Sequence, residues 1–308
     1  MFTDRRLDRA FANAPVIKID DTDKFIIFSD CHRGDNSISD EFAHNQNMML
    51  HALDYYWQRG YTFIENGDGE ELWEHARFKH IRFAHADIYE LIQKFHQEKR
   101  YYMIYGNHNM QFRDVGVVRD KLFEYVDEFT CEKVELLKGI VVHESLILEY
   151  NPTGQQIHIV HGHQGDVPND QLWQLSKFWM RYFWRYMHII GFHNPASPAK
   201  NIHKQHKIER KYAKWVKYSH HMLIVGHTHR PKFSKPDQIP YFNSGCCVRP
   251  RSITGLEISG GTISLVEWRI WPDESGRLQV VRRVVRGPEL LSSYLEFKQN
   301  GIDSDKNE

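Results

Sequence analysis

Residues 24–32, KFIIFSDCH, set a run of β-branched and aromatic residues directly before an Asp and a His. The run reads as a buried strand whose C-terminal end presents Asp30 and His32. The same construction recurs along the chain. Residues 61–65 lead into NGD and Asp68. Residues 100–105 lead into GNH, with Asn107 and His108. Residues 157–160 lead into HGH, with His161 and His163. Residues 222–225 lead into GHTH, with His227 and His229. Between the first of these strands lie helical patterns at 42–58, with Met49, Leu50, Leu53 and Trp57 on one face, and at 81–97. Strands alternating with helices predict a layered α/β fold. After Pro240 the pattern changes to strands at 252–258, 262–270 and 278–285, with turns at Gly260-Gly261 and 274–276.

Composition sets the bounds. The 308 residues carry 40 Lys plus Arg against 40 Asp plus Glu, so no global basic field draws the chain to nucleic acid, and none is expected as a partner. With 41% apolar and 26% charged residues, the chain can form a real core. Four cysteines without a CxxC pair give no disulfide framework and suit a reducing, cytoplasmic setting. The N-terminal MFTDRRLDRAFANAP lacks a signal-peptide core, and no stretch reaches the roughly 18 apolar residues of a membrane span. The 20 histidines direct attention to metal ligation.

Ligands in an open α/β sheet bind off the carboxyl ends of strands, so these motifs converge on one rim. Imidazole and carboxylate together suit manganese, iron, zinc or nickel, and the lack of Cys among them disfavours a structural zinc knot. Asp68 is the natural carboxylate to bridge two ions. Two divalent ions about 3.5–4 Å apart clamp the oxygens of an in-line displacement at phosphorus, which gives hydrolysis of a phosphate ester or anhydride.

The set SDCH, NGDGEE, GNHN, HGH and GHTHRP resembles the calcineurin-like metallophosphoesterases, over roughly residues 25–243. The resemblance implies a four-layer α/β/β/α sandwich of two mixed sheets in one domain spanning 1–308. It implies two divalent ions, with manganese first among the choices. One would be held by Asp30, His32, Asp68 and His229, the other by Asp68, Asn107, His161 and His227. His108 would sit over the phosphate and serve the leaving oxygen. The family has an acid after that histidine; this chain has Asn109, so another acid, such as Asp114, takes its role or His108 works as a neutral donor. GDGEELWE and GHTHRP are most similar to the branch containing UDP-2,3-diacylglucosamine pyrophosphohydrolase, while GNHN and HGHQGD depart from it.

Residues 171–220 read as a helical insert, broken at NPASP (194–198). Residues 174–220 carry ten Lys or Arg against one acid, Glu209. Lys177, Arg181, Arg185 and His188 form one basic stripe, beside apolar Leu172, Leu175, Phe178, Trp179, Phe183 and Ile190. The insert is a lid whose cations meet substrate phosphates, an interfacial helix giving peripheral membrane contact through 171–192, or a cap packed on the body with solvated charges. Arg33 is placed to contact a phosphate oxygen, or is structural. Glu70 and Glu71 either orient ligand histidines or open a helix, and Glu74 is expected in the helix's first turn. His163 and Asp166 touch substrate or are merely polar loop residues. Cys31, Cys246 and Cys247 are expected in packing, and the tail 299–308 is expected to be disordered.

The substrate expected is a phosphorylated small molecule or a nucleotide-linked, even lipidic, one. The alternatives are a protein phosphatase or nuclease of the same fold, and a non-catalytic scaffold. A cytoplasmic protein, with contact to the inner membrane face, fits this reading; the oligomeric state is not legible.

Overall fold

The structure is a computed structural model that describes residues 2–184 and 202–295. In chain order the elements begin with α1 (Phe2–Ala12), β1 (Val16–Ile19), β2 (Lys24–Phe28), α2 (Gln46–Gln58), β3 (Thr62–Asn66), α3 (Phe78–Ala84), α4 (Ala86–Gln97) and β4 (Tyr101–Ile104). Next come α5 (Val115–Leu122), the small hairpin β5 (Glu124–Val126) and β6 (Lys133–Glu135), β7 (Val142–His143), β8 (Ser145–Tyr150) and β9 (Gln155–Val160). The short α6 (Val167–Asp170) and α7 (Trp173–Trp179) follow. The chain closes with α8 (Ile202–Ser219), β10 (Met222–Val225), β11 (Tyr241–Asn243), β12 (Ser252–Ser259), β13 (Thr262–Pro272) and β14 (Leu278–Leu290).

Two mixed sheets result. One has the order β1-β8-β9-β10-β11, the other β14-β13-β12-β2-β3-β4-β7. β2, β3 and β4 run parallel, in register Phe25↔Thr62 and Phe63↔Tyr101, and β9 pairs parallel with β10 through Met222↔Ile157. β12–β14 continue the second sheet as an antiparallel meander against β2.

The run KFIIF shows why four layers form. Successive side chains on a strand point to opposite faces. Phe25 and Ile27 join Ile64, Ile104, Leu148, Ile157, Ile159 and Ile224 between the sheets. Ile26 and Phe28 face the other way, onto Met49 and Leu53 of α2 and Ile92 and Phe95 of α4. On the outer face of the first sheet, Val160, Leu223 and Val225 pack against Leu7 of α1 and Tyr212 and Val216 of α8. A strand buried on both faces has no polar alternation, as its sequence indicates.

The expected helix over 81–97 is divided at His85, which leaves the helical region at φ −123°. Its imidazole Nε2 lies 2.9 Å from Asp40 Oδ2 in the core, so the chain turns there to bury that pair. The expected helix over 42–58 begins as a 3-10 turn, Ala43–Asn45, before α2. In the insert, α7 runs on into a π-helical turn, Met180–Trp184, and the second half is α8. Arg185, His188, Ile190, the NPASP break and the tail 299–308 lie outside the described residues. No helix among the described residues is long and apolar enough to cross a membrane.

Candidate metal centre

The ends of β2, β3, β4, β9 and β10 lie side by side, and their following residues turn inward together. Asp30, His32, Asp68, His227 and His229 all have positive φ, between 49° and 64°. Such backbones cost about 1–3 kcal/mol each and persist only where the surroundings fix them. Here the turns are stitched together: Asp30 N donates to Gly67 O, His32 N to Asp68 O and Gly226 N to His161 O, at 2.8–3.1 Å. Side chains add to this. Asp30 Oδ2 accepts from His227 N at 2.9 Å, and Asp68 Oδ1 from His108 N at 2.8 Å. The glycines before the ligands are sterically required. A Cβ on Gly106 would lie 2.1 Å from Asp68 Oδ1, and one on Gly67, itself at φ +81°, 2.4 Å from the His161 ring.

The donor atoms converge. Asp30 Oδ1 is 3.2 Å from His229 Nε2 and 3.9 Å from His32 Nε2. Asp68 Oδ2 is 3.1 Å from His161 Nε2 and 3.8 Å from His32 Nε2. Asp30, His32 and His229 bring ligand atoms within 4.8 Å of one another, as do Asp68, His161 and His227. Asp30 Oδ1, Asn107 Oδ1 and His161 Nε2 are buried without a hydrogen-bond partner. Buried polar atoms rarely stay unpaired, so the open lone pairs of Asp30 and His161 within these donor groups fit divalent cations, and the buried Asn107 Oδ1 suits the same kind of partner. The His32 and His229 Nε2 atoms, 3.1 Å apart, fit the same purpose. Burial alone would raise the Asp30 carboxyl, but His229 and His161 outweigh it and bring it down to about 2. Asp68 is likewise held well below the ordinary range: burial opposes ionisation, and His161 and His108 outweigh it.

The remaining site expectations divide. His108 stands at the rim, with Trp73 stacked on its ring at 4.1 Å and 21°. Its pKa is pushed up to about 9, because Glu71 and Asp68 outweigh a larger opposing burial effect. Arg33 is a correction: it does not reach the site. Its guanidinium is fully buried, 2.6 Å from Glu65 Oε1 and 2.8 Å from Glu70 Oε1, and lies over the Tyr89 ring. Asp114 is also a correction, because it caps α5 by accepting from Gly116 N and Val117 N. Glu71 instead meets His108 Nδ1 at 2.8 Å and His32 Nδ1 at 2.7 Å. Glu74 opens no helix, since the chain makes a turn there and α3 begins only at Phe78.

Arg181, expected on substrate phosphate, spends two donors on the carbonyls of Trp73 and Leu72, at 3.0 and 2.8 Å. Lys177 Nζ lies 5.6 Å over the Trp173 ring, and Arg185 is outside the described residues. α7 buries none of its residues, and Leu172, Leu175, Phe178, Trp179 and Phe183 are half-exposed. His163 is buried beside His161 with neither ring nitrogen bonded, and Asp166 Oδ2 lies 3.4 Å from His227 Nε2. Cys31, Cys246 and Cys247 are buried free thiols, as expected. The Trp73 stack was not foreseen; the GDGEELW string that holds both Glu71 and Trp73 was the available signal.

No family model matches the chain, and no curated protein matches it. Among solved structures, Vps29 of Chaetomium thermophilum is similar at 11% identity and a TM-score of 0.34, over 85% of this chain and 96% of that one. The sulfate thiohydrolase SoxB of Thermus thermophilus is similar at 8% identity and a TM-score of 0.29, over 94% of this chain and 61% of that one. Likeness at this level bears no functional weight, and function is read from the site itself.

Proposed function

We propose that this chain is a dinuclear metal-dependent phosphoesterase of the calcineurin-like kind. The observation that carries the reading is the convergence of Asp30, His32, Asp68, His161, His227 and His229, with lone pairs of Asp30, Asn107 and His161 buried and left open. Asp30, His32 and His229 would hold one ion and Asn107, His161 and His227 the other, with Asp68 shared. Manganese is the first choice; iron, zinc and nickel suit the same donors. When bound, such ions polarise a phosphoryl group and activate water.

The chain's own residues do the rest. Glu71 holds the far nitrogen of His32, a second partner of the kind that fixes ligand tautomer. His108, beside Asp68 and roofed by Trp73, is the group placed to serve a leaving oxygen. The substrate is a phosphorylated small molecule or a nucleotide-linked one. Lys177 and the half-exposed aromatics of α7 support contact with its remainder, or peripheral contact with a membrane surface. Buried free cysteines support a cytoplasmic setting.

The test uses metal-stripped protein refilled with manganese, an aryl phosphomonoester and a bis-aryl phosphodiester, with Asp68→Ala as control. Hydrolysis in wild type that is lost in Asp68→Ala supports the reading. Metal-loaded wild type inert toward both esters and toward pyrophosphate-linked nucleotides would favour a non-catalytic scaffold.

A further inference from the structure

The segment that carries His108 has a neutral amide, Asn109, at the next position, and that amide is already committed. Asn109 Oδ1 accepts from Gly106 N at 2.6 Å, and Nδ2 donates to Glu70 Oε2 at 2.9 Å. We propose that Glu71, from the turn after β3, is the positioning residue for His108, holding its Nδ1 so that Nε2 is the nitrogen left to act; this rests on the phosphoesterase reading above only for its catalytic consequence.

The carboxylate is fixed independently of the histidine. Glu71 N donates to Arg33 O at 3.0 Å, and Oε1 accepts from Trp73 N at 3.2 Å and Glu74 N at 3.3 Å. Turned by this backbone cradle, Oε1 lies 2.8 Å and Oε2 2.7 Å from His108 Nδ1. Oε2 also lies 2.7 Å from His32 Nδ1. A carboxylate only accepts, so each imidazole donates from Nδ1. His32 thereby turns Nε2 toward the metal donors, and His108 keeps Nε2 free. Trp73, two residues on, covers one face of the His108 ring, and the edge of His32 approaches at 4.6 Å. One short turn therefore fixes the edge, the face and the tautomer of His108, and ties its position to a metal-ligand histidine.

The test has an arm that needs no activity. Histidine-selective 15N labelling of metal-free protein, at a pH where the ring is neutral and with the His108 signal assigned by its loss in His108→Gln, reads which ring nitrogen carries hydrogen. Nδ1–H is expected in wild type and is displaced in Glu71→Ala. Wild-type His108 protonated only at Nε2 overturns the proposal without any variant. The second arm measures phenyl phosphate hydrolysis with manganese. Measured at saturating manganese, because Glu71 also holds His32, Glu71→Gln is expected to lower kcat about 10–100-fold with KM near wild type. In a His108→Gln background the same change is expected to add less than about threefold, since the two act as a unit. An undiminished effect in that background overturns the proposal. If wild type binds metal and hydrolyses neither aryl mono- and diesters nor pyrophosphate-linked nucleotides while His108 shows the Nδ1–H, the phosphoesterase reading fails and the hold of Glu71 on His108 stands.

Discussion

Replacing Arg33 by Met separates the two roles that residue could have. The guanidinium is fully buried between Glu65 and Glu70, each within 2.8 Å, with the Tyr89 ring 5.1 Å away. Methionine fills similar volume but removes the only cation of this cluster. The carboxylates would keep neutral donors: Tyr101 to Glu65, and Tyr89 and Asn109 to Glu70. Burial already raises Glu70, and Arg33 opposes that rise, so removing Arg33 pushes Glu70 further toward its protonated form. Breaking a buried pair by removing one partner costs about 3–5 kcal/mol. The assay is equilibrium urea unfolding at pH 7, followed by tryptophan fluorescence, beside KM for an aryl phosphate. A fall in stability of about 3–5 kcal/mol with KM little changed is expected. A loss below about 1 kcal/mol with KM raised at least tenfold would refute the structural role and return Arg33 to the substrate.

Three further outcomes follow from the geometry. Gly106→Ala drives a Cβ against Asp68, so manganese affinity in calorimetry should fall at least about tenfold while the fold is kept; unchanged affinity would contradict the shared ligand's placement. His158, buried under Trp215 and stacked on His221, has its pKa depressed to about 3 by burial first and His221 second. The unfolded chain binds that proton near 6.5, so stability falls as pH drops from about 6.5 toward 3, by up to about 1.4 kcal/mol per unit; His158→Gln should flatten this slope in urea titrations, and an identical slope would refute it. Arg181→Ala frees the Leu72 and Trp73 carbonyls beneath the His108 stack, so kcat should fall about three- to tenfold with KM nearly constant; a rise in KM alone would mean a direct substrate contact.

What was legible in the sequence was the part written in short-range pattern. Apolar runs such as KFIIF and MLIV become central strands, and the residues one to four places beyond them become the rim. That spacing needs no knowledge of the sheet order, because a strand's end delivers its following side chains wherever the strand lies. β1 and β7 were not read, since short edge strands without a motif carry little signal, and β8, a six-residue strand paired on both sides, was missed because no ligand motif follows it. Burial of charge was not legible either. Arg33 sits one residue from His32, yet a strand-end turn sends it into the body toward Glu65, which only the paired registers of β2 and β3 bring near. Asp114 failed for a related reason: an Asp before a helical pattern is a cap, and local capping wins over a distant histidine. Glu71 was one of three acids in a string, and the choice among them depends on the turn that aims its carboxylate at two rings at once.

The central claim is that two metal ions share Asp68. Manganese per chain, counted by elemental analysis after dialysis of wild type and Asp68→Ala, tests it most directly. The account predicts two ions in wild type and at most one in the variant, with hydrolysis lost alongside. One ion or none in wild type, or two retained without Asp68, would contradict it.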